Sequence, residues 1–214
     1  MILGTPSGRI AFMANDELLS RIDRIYASVD ANQEFDTTKL PGIVWQQQSV
    51  VWLYQDFRSG LSQPEIHNIA HSLIHNIANL KDHLRRWARQ NGTDPATIDQ
   101  AIGASNALNI IIDLSNNDKH EYPPRYGGYS GVAPQLSGID RVMKLSFGGE
   151  AGSSISMAFN ADGSPRIVSR GGSAKAVITG RVNDKDENRL GDLHNFELEA
   201  VESLEELVAD LGVT

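Results

Sequence analysis

Apolar residues fall at Ile66, Ala70, Leu73, Ile77, Leu80, Leu84 and Trp87, in steps that alternate between four and three. That spacing draws one continuous stripe along a helix. Ser62-Gln63-Pro64-Glu65 precedes it as a capping box, Arg85, Arg86 and Arg89 suit the negative end of its dipole, and Gly92 stops it. A second run opens at Asp94-Pro95, bends or breaks at Gly103, and continues through Ala107, Leu108, Ile111 and Leu114 to His120. Ile110 and Ile112 widen its apolar surface, so most of it is expected to be buried. One polar stripe interrupts that surface at Asn109, Asp113, Asn116 and His120, and the first helix carries a comparable row at His71, His75, Asn79 and Asp82.

Upstream, Asn15 or Asp16 caps a helix with apolar positions Leu18, Leu19, Ile22, Ile25, Tyr26 and Val29. Residues 31–42 read as a polar loop ending at Pro41-Gly42, and a further helix is expected from about Val44 to Phe57, ended by Gly60. Trp45, Trp52 and Trp87 are taken as packing residues. After His120 a loop rich in Gly, Tyr and Pro follows, and then strand alternation begins. Met143, Leu145 and Phe147 alternate with Lys144 and Ser146, and Ile155, Met157 and Phe159 with Ser154, Ser156 and Ala158. Gly148-Gly149, Asp162-Gly163 and Gly171-Gly172 mark turns, and further strands at Arg166–Ser169 and Ala174–Val182 complete a meander. Phe196, Ala200, Val201, Leu204, Leu207, Val208 and Leu211 form the stripe of a terminal helix able to cover that sheet.

The expected fold class is therefore α+β: a helical bundle over 1–120, a connecting loop at 121–137, and an antiparallel sheet closed by an amphipathic C-terminal helix over 138–214. The 214 residues contain no cysteine, which excludes disulfides and thiolate metal sites and fits a reducing cytoplasm. Neither a signal peptide nor an apolar run long enough for a membrane span is visible, so a cytoplasmic protein without a membrane partner is expected. Net charge is −8. Ten acids against Lys185 and Arg189 between Asp184 and Asp210 account for it, and the remainder is close to neutral. Strong non-specific DNA binding is not expected of such a surface. The acidic tail helix is a solvated face that can also dock on a basic partner.

Two groups of side chains bear on chemistry. His67, His71 and His75 recur every four residues, the spacing by which two imidazoles can share a metal on one helix face, and Asp82 lies two turns on. No Glu-x-x-His pair accompanies them, so an exposed polar face is favoured over a metal site at His71, His75 and Asp82. No cofactor is expected, since Gly4 to Arg9 echoes a phosphate loop but lacks its Lys. The densest polar cluster is Asp113, Asn116, Asn117, Asp118, Lys119 and His120, where a His at a helix end beside carboxylates could move protons near neutral pH. Tyr122, Arg125, Tyr126 and Tyr129 read as a crossover loop with its tyrosines on the core.

Asn79-Leu80-Lys81-Asp82 on one helix, with Asp113-Leu114-Ser115-Asn116-Asn117-Asp118-Lys119-His120 ending another, resembles uncharacterised bacterial helical proteins. More distantly, residues 62–122 resemble the HEPN superfamily, small helical bundles that include ribonucleases of toxin and phage-defence systems. The resemblance places Asn116 and His120 on that family's active-site motif, with Ser115 where its Arg stands. It implies metal-independent action on RNA in an active member, commonly as a homodimer whose two motifs face one groove. The stand-in cations for the absent Arg are then Lys119 and Arg125, or Lys81 across the helix pair, and the catalytic set is Asn116, Lys119 and His120. Asn79, Asp82, Asp113 and Arg125 are the binding candidates beside them. Loss of the Arg removes the bidentate phosphate contact. The order of preference is a non-enzymatic interaction or regulatory module with a degenerate HEPN-like bundle, then a HEPN-like ribonuclease, then a metal-binding bundle. A protein or RNA partner fits the first two.

Overall fold

The computed structural model describes residues 18–29, 42–47, 50–120, 127–147, 151–161 and 165–213. Arg125, Tyr122 and Tyr126, the segment before residue 14, the cap at Asn15 or Asp16, and the turns at Gly148-Gly149 and Asp162-Gly163 lie outside them. The fold is α+β, with helices α1 (18–29), α2 (Gln63–Gln90), α3 (Pro95–Ala104), α4 (Asn106–His120) and α5 (Leu193–Asp210). The strands are β1 (Gly42–Gln47), β2 (Val50–Gln55), β3 (Gln135–Phe147), β4 (Ser154–Phe159), β5 (Pro165–Arg170), β6 (Gly172–Asn183) and β7 (Arg189–Asp192).

Contacts divide the chain into two compact units, each built from separate segments. One comprises Met1–Val29, Ile69–Gly138 and Gly180–Thr214; the other comprises Asp30–Asn68 and Ile139–Thr179. The first unit is mainly helical. Leu18, Ile22, Ile25 and Val29 are buried on α1, in steps of four, three and four. On α2 the buried stripe runs through Leu73, Ile77, Leu80, Leu84 and Trp87, and every residue from Ala107 to Ser115 on α4 is buried. Helix α5 packs on α4, with β7 beside it. Tyr26 of α1 hydrogen-bonds Glu205 of α5, and burial together with that carboxylate pushes its phenol above the ordinary tyrosine range.

The helix ends follow their local chemistry. Glu65 Oε2 accepts from Ser62 N at 2.8 Å and from Ser62 Oγ at 2.6 Å, and these bonds hold its carboxyl below the usual range. Gly92 takes φ +73 where Thr93 N bonds back to Ala88 O, an αL stop for α2. Asp94 caps α3 through Ala96 N at 2.9 Å. The break between α3 and α4 falls at Ser105, two residues past Gly103, because Ser105 Oγ accepts from Leu108 N and so starts the next helix. Asn109, first of the polar stripe on α4, reaches back to Gly103 O at 3.1 Å.

The helix expected from Val44 to Phe57 is not formed. That segment is an antiparallel hairpin in which Gly42 pairs with Gln55, Trp45 with Trp52, and Gln47 with Val50. Its apolar positions fit either period, and the β-branched and aromatic residues (Ile43, Val44, Trp45, Val50, Val51, Trp52, Tyr54) favour the strand. The later strands are present, and α5 occupies the expected C-terminal segment, but they do not form one meander. Strands β4 and β5 make a separate two-stranded ladder, Ser154 opposite Arg170 and Phe159 opposite Pro165, while β6 lies between β3 and the unanticipated short strand β7.

In the second unit, Ile66, Ile139, Ala176, Val177 and Ile178 are buried. Arg58 forks onto Asp140, with Nε 2.9 Å from Oδ1 and Nη2 2.6 Å from Oδ2, and this pairing lowers the Asp140 carboxyl. A depressed carboxyl stabilises the fold above its unfolded value and loses that contribution as pH falls through the folded one. Both side chains are partly exposed, so Arg58→Ala is expected to cost only about 0.5–1 kcal/mol at pH 7. The difference should vanish near pH 2 in urea unfolding.

Candidate functional site

Asp113 lies at the middle of α4 and is 0% exposed. Its carboxylate takes three hydrogen bonds from the loop that precedes β3: Tyr129 N to Oδ1 at 2.9 Å, Ser130 N to Oδ2 at 2.8 Å, and Ser130 Oγ to Oδ2 at 2.7 Å. Gly127 and Gly128 bring the loop in with positive φ. Asp113 therefore works as the anchor of this loop. Tyr129 in turn rests against Lys81 of α2, whose Nζ is 4.6 Å from the ring centroid and 3.2 Å from the hydroxyl. Asn117 adds a second tie, donating to Pro134 O at 2.9 Å.

Two turns of α2 meet α4 one turn beyond Asp113. His75 Nε2 is 2.7 Å from Asp118 Oδ2, and His75 Nδ1 is 2.8 Å from Ser115 Oγ. His71 Nδ1 approaches Asp118 Oδ1 at 3.0 Å, at ion-pair distance but outside hydrogen-bond geometry. The i, i+4 spacing of the two imidazoles and the i, i+3 spacing of Ser115 and Asp118 put all four side chains on facing sides of their helices. A neutral His75 donates to the carboxylate from Nε2 and accepts the Ser115 hydroxyl at Nδ1.

The set has the members of a Ser-His-Asp triad with the exposures reversed. A nucleophilic serine must reach substrate while its carboxylate is sheltered. Here Ser115 is 1% exposed, and Asp118 is the member at the surface. The arrangement locks two helices together and presents no hydroxyl for attack.

The remaining candidates are dispersed around this clasp. Asp82 turns to Arg85, 3.4 Å away, and not to His71 or His75; Arg85 also holds Asp99 at 2.6 Å. Asn79 Oδ1 accepts from Lys119 Nζ at 3.4 Å. Asn116 is half-buried, and His120 is exposed at the last residue of α4. His67 belongs to the second unit, where its Nε2 faces Gln63 Nε2 at 3.0 Å. Among the described residues no group of three or more His, Asp or Glu side chains is set to hold a metal ion, and no helix is long and apolar enough to cross a membrane.

Sequence reasoning passed over Ser115 as a hydrogen-bonding residue and Asp118 as the hub of the clasp. Their i, i+3 spacing opposite the two histidines was the signal that could have found them. It also missed His194 and Glu197, buried on α5 within an otherwise acidic, solvated stretch. Comparison of the chain with protein-family models, with curated proteins and with solved structures finds no match. The chemistry of these residues alone carries the functional reading.

Proposed function

We propose that this protein is a non-enzymatic interaction or regulatory module with a degenerate HEPN-like bundle. The observation that carries the reading is the use of the polar cluster on α4 for internal bonding. Asp113 is saturated by the Tyr129-Ser130 loop, Asp118 is held between His71 and His75, and Ser115, at the position of the family's Arg, is sealed under His75. A phosphate at His120 would find no guanidinium from that position. The surface best suited to a partner is the outer face of α5, where Glu199, Glu202, Glu205, Glu206 and Asp210 are exposed. Such a face attracts a basic protein and repels nucleic acid. A bacterial cytoplasmic protein, working as a homodimer in phage defence, is the setting this reading favours.

The test is cleavage of structured and unstructured RNA. No cleavage above background is expected from the wild type, and none from His120→Ala. Rapid cleavage by the wild type, lost in His120→Ala at an unchanged melting temperature, would instead establish the ribonuclease.

A further inference from the structure

The C-terminal third of α2 carries Lys81, Arg85, Arg86 and Arg89, the densest run of cations in a chain of net charge −8. Two of the four are engaged within the fold. Arg85 holds Asp99 at 2.6 Å, reaches Asp82 at 3.4 Å and hydrogen-bonds the Tyr129 hydroxyl, and Lys81 lies over the Tyr129 ring. Arg86 and Arg89 are exposed one turn apart on one side of the helix, and their guanidiniums make no ion pair or hydrogen bond among the described residues. Asp82, one turn before Arg86, already faces Arg85. Beside them Tyr129 is 50% exposed, yet its backbone is fixed by the bond from its N–H to Asp113. The result is an open pair of guanidiniums next to a rigidly placed aromatic ring, and Arg and Tyr are the residue types that dominate the energetics of protein interfaces.

The same compact unit carries the complement of this patch on α5. Glu199, Glu202, Glu206 and Asp210 follow one another at i, i+3, i+7 and i+11, so they form a single straight row. All four are exposed, and none makes an ion pair among the described residues, whereas Glu205 beside them is bonded to Tyr26. Like charges at this spacing repel along a helix. The chain therefore presents a cationic row and an anionic row that it does not neutralise itself. Their pitch agrees: Arg86 and Arg89 are about 4.5 Å apart along α2 and Glu202 and Glu206 about 6 Å apart along α5, a mismatch that long side chains absorb.

We infer that the basic partner of the acidic α5 face is a second copy of this chain, whose Arg86, Arg89 and Tyr129 receive Glu199, Glu202 and Glu206. The inference rests on the interaction reading and names the partner of that face. In a dimer each copy gives its α5 row to the other and takes the other's row on α2, so the contact is made twice. Because the negative charge of the chain is concentrated in its last segment, docking that segment on the cationic patch neutralises it, and the near-neutral remainder opposes association little. Neither Asn116 nor His120 takes part.

Sedimentation equilibrium of the full chain at about 0.1 M salt tests it. A dimer with Kd at or below about 100 μM is expected, at least about tenfold weaker at 1 M salt, where the screening length falls from about 10 Å to about 3 Å. The double variant Arg86→Glu, Arg89→Glu should be monomeric, and so should Glu202→Arg, Glu206→Arg; circular dichroism confirms that each is folded. These two variants move the net charge in opposite directions, so overall repulsion does not account for a loss in both. Mixed one to one they should form a heterodimer, because the acidic patch of the first meets the basic α5 of the second while the native contact forms on the other side. A wild type that stays monomeric, a dimer that either reversal leaves intact, or a mixture that fails to associate would overturn the inference. A monomeric wild type that binds decalysine, with binding lost in Glu202→Arg, Glu206→Arg, would overturn the second copy as partner and leave the interaction reading standing.

Discussion

Gly128→Ala is expected to destabilise the protein by about 3–5 kcal/mol, and Gly131→Ala, three residues on, by only about 1–2 kcal/mol. Both glycines are left-handed, with φ +71 and +76, so both substitutions incur the same backbone strain. They differ in what the new methyl would meet. At Gly128 an added Cβ would overlap the Asp113 carboxylate, at 2.3 Å from Oδ1 and 2.6 Å from Oδ2. At Gly131 nothing lies within 4 Å. Asp113 cannot retreat, because it is fully buried in α4 and its oxygens are already committed to Tyr129 and Ser130. Either the loop lifts or the carboxylate turns, and in both cases buried charge-assisted hydrogen bonds are lost, each worth about 1.5–3 kcal/mol. Urea midpoints at constant slope measure the difference between the two variants. Equal losses would show that the loop is not seated on Asp113. Combining Gly128→Ala with Asp113→Ala supplies a further check, since residues sharing one contact give strongly non-additive losses.

The same contact shows how far the sequence could be read. A single acid inside an apolar helix is visible by eye, and Asp113 stands out for that reason. Two of its three hydrogen bonds come from backbone N–H groups sixteen and seventeen residues away, and the third comes from the Ser130 hydroxyl in the same loop. A backbone donor leaves no residue type behind, so Asn79 and Asp82 looked like equally good partners. The helices were legible because α1, α2 and α5 repeat their apolar positions over several turns, and because Asp94, Gly92 and the Ser62–Glu65 box leave chemical marks at their ends. The hairpin was not, because six-residue strands are too short to separate a period of two from one of 3.6. Turn signals likewise located β3 to β6 but not their partners. Gly and Asp at a turn say where a strand ends and nothing about which strand it joins, so the placement of β6 between β3 and β7 had no local mark. Of the candidate site, the two histidines at i, i+4 were visible. Their shared partner, Asp118, was hidden among four polar neighbours at the end of α4.

Glu197 leads to the second large effect, and here pH decides its size. The residue is 2% exposed on α5, between Phe196 and the buried Ala200–Val201 pair, and its Oε1 has no hydrogen-bond partner among the described residues. Burial raises its carboxyl well above the ordinary glutamate value. A raised carboxyl favours the fold fully below the unfolded value, near pH 4.3, where both states are protonated. As pH rises the unfolded chain ionises first. Stability then falls until the folded group ionises too, beyond which the penalty is constant. Glu197→Gln keeps the shape and removes the charge, so it should be nearly neutral at pH 4 and stabilising by about 1–3 kcal/mol at pH 8. Taking wild type and variant together at each pH cancels the titration of the shared groups distant from residue 197. Thermal or urea unfolding between pH 4 and pH 8 gives the comparison directly. A Gln variant less stable than wild type at pH 8 would mean that the carboxylate is ionised and paired inside the fold, and that α5 is held by this charge instead of in spite of it.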